Sequence, residues 1–304
     1  MITDPSTSIK SALVTGATGI VGLPLCRELV SAGIRVTAYS RSAAEFDFPS
    51  GVAGVSGDIL DVASLVSVAD GRDVIFHVAA AVHGSASDYA EFESVNIRGT
   101  ENVIRAAKEI GAKLIYVSTV NVEGFRNGSL ADPYAETKSI AEELVLNAGY
   151  DGLDVVVVRP AMVFGDVPGM AGLIVDRLLS GSMRVLPAPA RMISPVWSKD
   201  LAAALIGAAR QGESGRTYTV AGPTLSTGDF IEAVCAAGKL KRPALSVPTW
   251  MIALPLQLAW WAKGLTRWKP PVSVESLLNG SSHDGTNAAI DLGFEYSDYQ
   301  QIFG

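Results

Sequence analysis

Basic residues are scarce in this chain: 24 Lys and Arg stand against 31 Asp and Glu, a formal net charge of −7 over 304 residues. No Lys/Arg-rich stripe appears, which excludes nucleic acid as a partner. Cysteine is almost absent. Cys26 and Cys235 lie far apart with no motif around either, so each reads as a buried free thiol in a helix, and no metal site is expected. Long apolar runs are lacking too. Met1 to Lys10 is polar, contains Pro5 and has no apolar signal core, so the cytoplasm is the expected compartment. The most apolar stretch, Ala244 to Ala262 with Trp250, Trp260 and Trp261, is broken by Pro248 and Pro255 and carries Gln257. Its uninterrupted part falls short of the roughly 20 residues that span a bilayer. It reads as a lid over an apolar pocket or a subunit contact, ahead of a helix lying on a membrane surface. A hydrophobic content of 48% against 18% charged residues describes a folded globule rather than a disordered chain.

What is present begins with Leu13-Val14-Thr15-Gly16-Ala17-Thr18-Gly19-Ile20-Val21-Gly22. An apolar run breaks into three spaced glycines, and an amphipathic segment from Leu23 to Ala32 follows. Strand, tight turn and helix are expected. Gly16 makes the turn, Gly19 lets backbone approach a pyrophosphate, and Gly22 lets helix and strand pack closely, with the phosphates on the helix N-terminus.

A second strand, Arg35 to Tyr39, ends in Ser40-Arg41-Ser42. An acid at that place binds the 2′-hydroxyl of NAD, whereas an arginine accommodates the 2′-phosphate of NADP. Arg41 is there and no acid is, so NADP is expected ahead of NAD. Val52 to Val55 runs into Asp58, placed to touch adenine or, with Asp61, to cap the next helix. Val74-Ile75-Phe76 continues into His77-Val78-Ala79-Ala80-Ala81, whose small residues suit close approach of a cofactor. His77 reads as a packed structural histidine. A helix over Asn96 to Ile110 ending at Gly111, a strand from Lys113 to Ser118, a helix over Tyr134 to Leu146 and a strand over Asp154 to Val158 follow. Apolar strands alternating with helices mean a parallel sheet covered on both faces. Beyond Arg159-Pro160, helices are expected near Leu173 to Leu179, over Asp200 to Ala209 and from Thr227 to Ala237, with a strand near 216–221 returning to the sheet.

Chemistry concentrates after the fifth strand. Ser118-Thr119 ends it, and Tyr134 and Lys138 stand four apart, on one face of a helix. There the lysine charge would favour tyrosinate and lower the phenol pKa. Hydroxyls of Thr119 and Tyr134 are then placed to bracket one substrate oxygen.

These motifs, in this order, resemble the extended short-chain dehydrogenase/reductases, the NAD-dependent epimerase/dehydratase family, over essentially the whole chain. The matching residues are Thr15-Gly16-x-x-Gly19-x-x-Gly22, Asp58, His77-Val78-Ala79-Ala80, Asn96-x-x-Gly99-Thr100, Thr119, Tyr134-x-x-x-Lys138, Arg159-Pro160 and Val196 to Ala202. The resemblance implies a Rossmann-type doubly wound parallel sheet over residues 1–165. A smaller, mainly substrate-binding region over 166–304 would complete it. It implies Tyr134 as general acid/base, Lys138 on the nicotinamide ribose and Thr119, rather than Ser118, on the substrate oxygen. Around the cofactor it places Gly16, Thr18, Gly19, Ile20, Arg41, Asp58, Ile59, Ala79, Ala80, Ser118, Tyr134, Lys138, Pro160 and Val163.

Departures narrow the reaction. Val120 and Asn121 stand where family dehydratases carry Asp-Glu, so dehydration is not expected. Met170 to Pro187 with Arg191 and Ser194 to Ala202 resembles nucleotide-sugar 4-epimerases and 4-keto reductases, where Arg191 would meet a diphosphate. The Trp-rich stretch and Asp291-Leu292-Gly293-Phe294 resemble the 3β-hydroxysteroid dehydrogenase-like branch, which takes apolar ketones and alcohols. A nucleotide sugar is the expected substrate and an apolar ketone or alcohol the alternative. A non-catalytic NADP-binding redox sensor is a third reading, disfavoured because such relatives usually lack Tyr-x-x-x-Lys. A homodimer is compatible with the apolar helix faces.

Overall fold

The computed structural model describes residues 9–83, 85–86, 88–165, 172–248, 251 and 282–302. In chain order its elements are β1 (Ser11–Thr15), α1 (Gly22–Ser31), β2 (Arg35–Ser40), β3 (Val52–Ser56), α2 (Val62–Ala69), β4 (Val74–His77), α3 (Tyr89–Phe92), a π-helical turn (Glu93–Arg98) and α4 (Gly99–Ile110). Then come β5 (Lys113–Val117), α5 (Asn121–Arg126), α6 (Pro133–Tyr150), β6 (Val155–Pro160), β7 (Val163–Phe164), α7 (Leu173–Leu179), β8 (Val185–Pro187), β9 (Met192–Ile193) and β10 (Val196–Trp197). The chain closes with α8 (Ser198–Gln211), β11 (Thr217–Val220), β12 (Leu225–Ser226), α9 (Thr227–Ala237), β13 (Leu245–Val247), α10 (Thr286–Leu292) and α11 (Tyr299–Ile302).

Seven strands form one sheet in the order β11-β6-β5-β4-β1-β2-β3. Every pairing in it is parallel. Alternate residues of each strand face opposite layers. Val14, Phe76, Ile115 and Val156 pack with Leu25 and Leu29 of α1 and Leu201 and Leu205 of α8. Leu13, Ile75, Leu114 and Val155 pack with Leu65 of α2, Val103 of α4 and Val145 of α6. Each fully buried leucine contributes about 1.5–3 kcal/mol of apolar burial. The chain is a doubly wound α/β fold, and the strand order reverses between β1 and β4, where ligands of such sheets bind. Cys26 and Cys235 are buried free thiols.

A third cluster lies outside the sheet. Phe164, Val175, Ile193, Phe230 and Val234 pack together, with the rings of Phe164, Phe230 and Tyr299 mutually edge-on at 5.1–5.9 Å. Asp200 at the start of α8 accepts from the backbone N–H of Ser297 at 2.9 Å and from its hydroxyl at 2.7 Å. The acid that sequence reading could only match to a family segment ties the C-terminal stretch to the sheet.

Two expectations need correction. The helix expected from Asn96 already begins at Tyr89, where Asp88 accepts from the Glu91 N–H at 3.1 Å. That cap was readable as Asp-x-x-Glu. The wider π turn from Glu93 to Arg98 then turns Asn96 inward, where it is 1% exposed. Asp58 does not cap α2. Asp61 does, accepting from the Ser64 N–H at 3.1 Å, while Asp58 accepts from Leu60 N–H at 2.9 Å in the preceding turn. The Trp-rich stretch, apart from Ala244 to Pro248 and Met251, lies outside the described residues. Among the described residues no helix is long and apolar enough to cross a membrane, and no group of His, Cys, Asp and Glu is placed to hold a metal ion.

Candidate active site

The glycine turn sits at the carboxyl end of β1. Gly16 has φ +66°, and a Cβ on it would lie 2.7 Å from the backbone of Ala79. A Cβ on Gly22 would lie 2.3 Å from the Gly16 carbonyl oxygen, so α1 enters against the turn with no room for a side chain. Gly19 differs: it is exposed, and its added Cβ would meet only the Gly16 oxygen, at 3.4 Å. Its outward face is open. No side chain caps the N-terminus of α1 and no acid stands in its first turn, leaving its dipole uncompensated for an anion. These features fit a dinucleotide pyrophosphate, with Thr18 and Ile20 half-buried beside Gly19.

The neighbouring strand ends complete the cradle. Arg41 is exposed just past β2 and Asp58 just past β3, with Ile59 buried against Gly99. Ala79 and Ala80 are half-buried after β4. Thr15 fixes that loop: its Oγ accepts from the N–H groups of Val78 and Ala79 at 3.2 and 3.3 Å. His77 is structural. Its Nδ1 lies 2.8 Å from the Thr15 hydroxyl and its Nε2 3.0 Å from that of Thr100. Thr100 gives its own proton to the Asn96 carbonyl at 2.6 Å, so it accepts from Nε2–H, and Nδ1 accepts from Thr15. That tautomer is neutral, and burial, with the Lys138 charge adding, depresses the His77 pKa to about 3. Asn96 clamps the far end of the loop, accepting from Ala81 N–H at 2.7 Å and donating to the Ala81 carbonyl and to Thr137 of α6.

Thr119, Tyr134 and Lys138 converge where β5 meets α6. The Thr119 hydroxyl hydrogen-bonds the Tyr134 phenol and accepts from Asn121 N–H at 3.3 Å. Lys138, 2% exposed, donates from Nζ to the Val117 carbonyl at 2.6 Å and lies 4.2 Å from the centre of the Tyr116 ring. Burial lowers the Lys138 pKa to about 7 against the opposing charge of Glu142. The phenol moves opposite to the sequence expectation. Burial raises the Tyr134 pKa to about 12, Asp132 adds to the rise, and the Thr119 hydrogen bond opposes it. The lysine does not offset this: its Nζ is turned to the Val117 carbonyl, and burial of the phenol outweighs its other partners.

Ser118, also expected beside the cofactor, is buried just past the end of β5. Its hydroxyl proton is donated to Glu142 Oε2 at 2.6 Å. Glu142, fully buried, is also held by Arg159 and Arg126, and Arg159 reaches on to Glu123 at 2.9 Å. This group includes Ser118, the residue next to Thr119. Sequence reading missed it, although Arg159 carried a signal in the Arg-Pro pair. Also missed was His83, whose Nε2 lies 2.9 Å from Asp132 Oδ1 beside Tyr134. Pro160 ends β6 and its carbonyl accepts from Val120 N–H at 3.1 Å; Val163 pairs with Val196 in the short strands just beyond. Arg191 is half-buried in the C-terminal part, and burial lowers its pKa.

A profile of the NAD dependent epimerase/dehydratase family matches residues 12–221. A 2-alkyl-3-oxoalkanoate reductase of Stenotrophomonas maltophilia (strain K279a) is 34% identical over 192 residues, 57% of this chain and 57% of that protein, so the match spans little more than half of that relative. Sterol demethylase protein B of Methylococcus capsulatus (strain ATCC 33009 / NCIMB 11132 / Bath) is 28% identical over 307 residues, 93% of each chain. The crystal structure of gox2253 superimposes with a TM-score of 0.79 at 25% identity, covering 97% of this chain and 96% of that one. The profile runs from β1 through β11, the whole seven-stranded sheet with its glycine turn and strand-end loops, and the protein therefore belongs to the NAD-dependent epimerase/dehydratase family of enzymes.

Proposed function

We propose that this protein is an NADP-dependent reductase that converts a ketone on an apolar molecule to the alcohol, with Tyr134 as the proton donor. The observation that carries this is the pairing of the Thr119 hydroxyl with the Tyr134 phenol, with Lys138 one helical turn further along α6 and buried against the Val117 carbonyl, at the carboxyl ends of the strands where the glycine turn also lies. A nicotinamide dinucleotide, when bound, supplies the hydride. Thr119 and Tyr134 hold the carbonyl oxygen between two hydroxyls, and the phenol proton passes to that oxygen as it becomes an alcohol. A phenol with a pKa near 12 is fully protonated at neutral pH, which suits a donor. Gly16, Thr18, Gly19 and Ile20 hold the pyrophosphate, Asp58 and Ile59 border the adenine, and Ala79, Ala80, Pro160 and Val163 flank the nicotinamide side. Residues 1–165 with β11 form the cofactor side, and residues 166–304 build most of the substrate side.

An apolar substrate is favoured over a nucleotide sugar because the reductase and the sterol demethylase component, both matched by sequence, are named for alkyl and sterol substrates. The test is cofactor fluorescence with 3-keto acyl compounds, keto-steroids and nucleotide sugars side by side. Net consumption of NADPH with an apolar ketone is expected. Interconversion of nucleotide sugars with no net change in the cofactor would overturn the reading.

NADP preference rests on exposed Arg41 at the β2 end, with no acid at that place. A charge-assisted contact to a 2′-phosphate contributes roughly 1.5–3 kcal/mol, so Arg41→Ala should weaken NADPH about 10–100-fold and leave NADH nearly unchanged. Equal losses for the two cofactors, measured by fluorescence titration, would sink the preference.

A further inference from the structure

His83 lies outside every motif described above, yet it stands against the proposed proton donor. Its ring centre is 6.0 Å from that of Tyr134 and 5.6 Å, edge-on, from that of Phe92; Phe92 and Tyr134 are 6.5 Å apart. Its Nε2 meets Asp132 Oδ1 at 2.9 Å. Asp132 uses its other oxygen to cap α6, accepting from Ala135 N–H at 3.3 Å. The carboxylate is 4% exposed and the imidazole 42% exposed. A buried anion two residues from Tyr134 is thus bridged to solvent by a titratable ring.

The other charged and titratable groups around Tyr134 are already engaged. Lys138 is turned to the Val117 carbonyl, and Glu136 accepts from the Tyr89 hydroxyl at 3.1 Å. Glu142 is paired with Arg159 and Arg126, Glu93 with Arg98, and His77 is neutral between two threonines. Tyr116, buried beneath Lys138, is itself held protonated by burial. That leaves Asp132 as the charge acting on the phenol, and His83 as its counter-charge.

We infer that His83 is a positioning residue for Tyr134: its ion pair with Asp132 decides how much of that carboxylate's charge the phenol faces, and so how readily the phenol gives up its proton. With the imidazole protonated, the carboxylate is balanced and the phenol releases its proton more easily. With the imidazole neutral, the carboxylate acts alone and holds the proton in place. Asp132 in turn raises the pKa of His83, its hydrogen bond outweighing partial burial, so the change in state falls above the ordinary histidine range near 6.5. The inference rests on Tyr134 as proton donor for its meaning in the reaction, but not for its test.

The test reads the phenol directly in the ligand-free protein, by carbon-13 NMR of ring-labelled tyrosine with Tyr134→Phe to assign the signal. His83→Arg keeps a positive charge beside Asp132 throughout the titration and should lower the Tyr134 pKa by about one unit. Asp132→Asn removes the anion, still caps the helix, and should lower it similarly. His83→Gln should leave it unchanged, because wild-type His83 is already neutral where the phenol titrates. In Asp132→Asn the His83 imidazole should also titrate lower, back toward 6.5, a readout that stands if His83→Arg does not fold. A purely structural pair would disturb all three variants without regard to charge. A Tyr134 titration unmoved by Asp132→Asn, or by folded His83→Arg, would overturn the inference. Activity retained in Tyr134→Phe would instead remove the catalytic reading and leave this coupling standing.

Discussion

Tyr134→Phe is expected to cut turnover by about 10²–10⁴-fold, the range of a positioned acid or base, while cofactor affinity stays within a few-fold. The substitution removes one oxygen and leaves the ring, so the packing against His83 and Phe92 persists. Thr119 loses one partner but keeps the Asn121 N–H. The loss should appear in kcat, because the proton moves only as the carbonyl is reduced. Retention of wild-type turnover, with NADPH consumption followed at saturating ketone, would remove Tyr134 from the chemistry. Thr119→Val should be a milder companion. It deletes the hydroxyl that opposes the rise in the phenol pKa, so the phenol should become harder to deprotonate.

Glu142→Ala is expected to be the most destabilising single change near the site, by roughly 3–5 kcal/mol, because it strips one partner from a buried ion pair. Arg159, with a side chain 13% exposed, would keep only Glu123, and the Ser118 hydroxyl would lose its acceptor. Burial alone would raise the Glu142 pKa. Hydrogen bonds from Arg159 and Ser118, with the charges of Arg159 and Arg126, outweigh it and hold the group below the usual carboxylate range. The native state therefore binds this proton less readily than the unfolded chain. That contribution is present above the unfolded glutamate pKa near 4.3 and is lost as pH falls through the lower native value. Urea denaturation at neutral pH should show the full penalty of the variant, and the gap to wild type should narrow in acid. A loss below about 1 kcal/mol at neutral pH would mean that the pair is not structural. The double change Glu142→Leu with Arg159→Met should recover much of the stability, since replacing both partners removes the orphaned charge.

This group also shows where local sequence reading stops. Ser118 stands just past β5, and Arg126, Glu142 and Arg159 on α5, α6 and β6, and the parallel pairing of β5 with β6 helps bring them together. Nothing in the spacing of 118, 126, 142 and 159 has a period. By contrast, the pair of Tyr134 and Lys138 was legible because a helix repeats every 3.6 residues, and α6 places both near β5. The helix boundaries followed the same logic. Thr227 to Ala237 and Leu173 to Leu179 match their expected ranges, whereas the π turn at Glu93–Arg98 escaped because a single widened turn leaves no periodic trace.

By itself the sequence determined the doubly wound sheet, the glycine turn, the family and the order of its motifs. Each of these is carried by short-range pattern: apolar runs for buried parallel strands, glycine where a Cβ has no room, side chains four apart on a helix. Tertiary structure alone decided the protonation of the candidate site. Whether Lys138 is charged, whether Tyr134 holds its proton and whether His83 balances Asp132 depend on burial and on partners brought in from distant parts of the chain. Those quantities are set by desolvation and Coulomb interaction through space, and neither has a signature along the sequence.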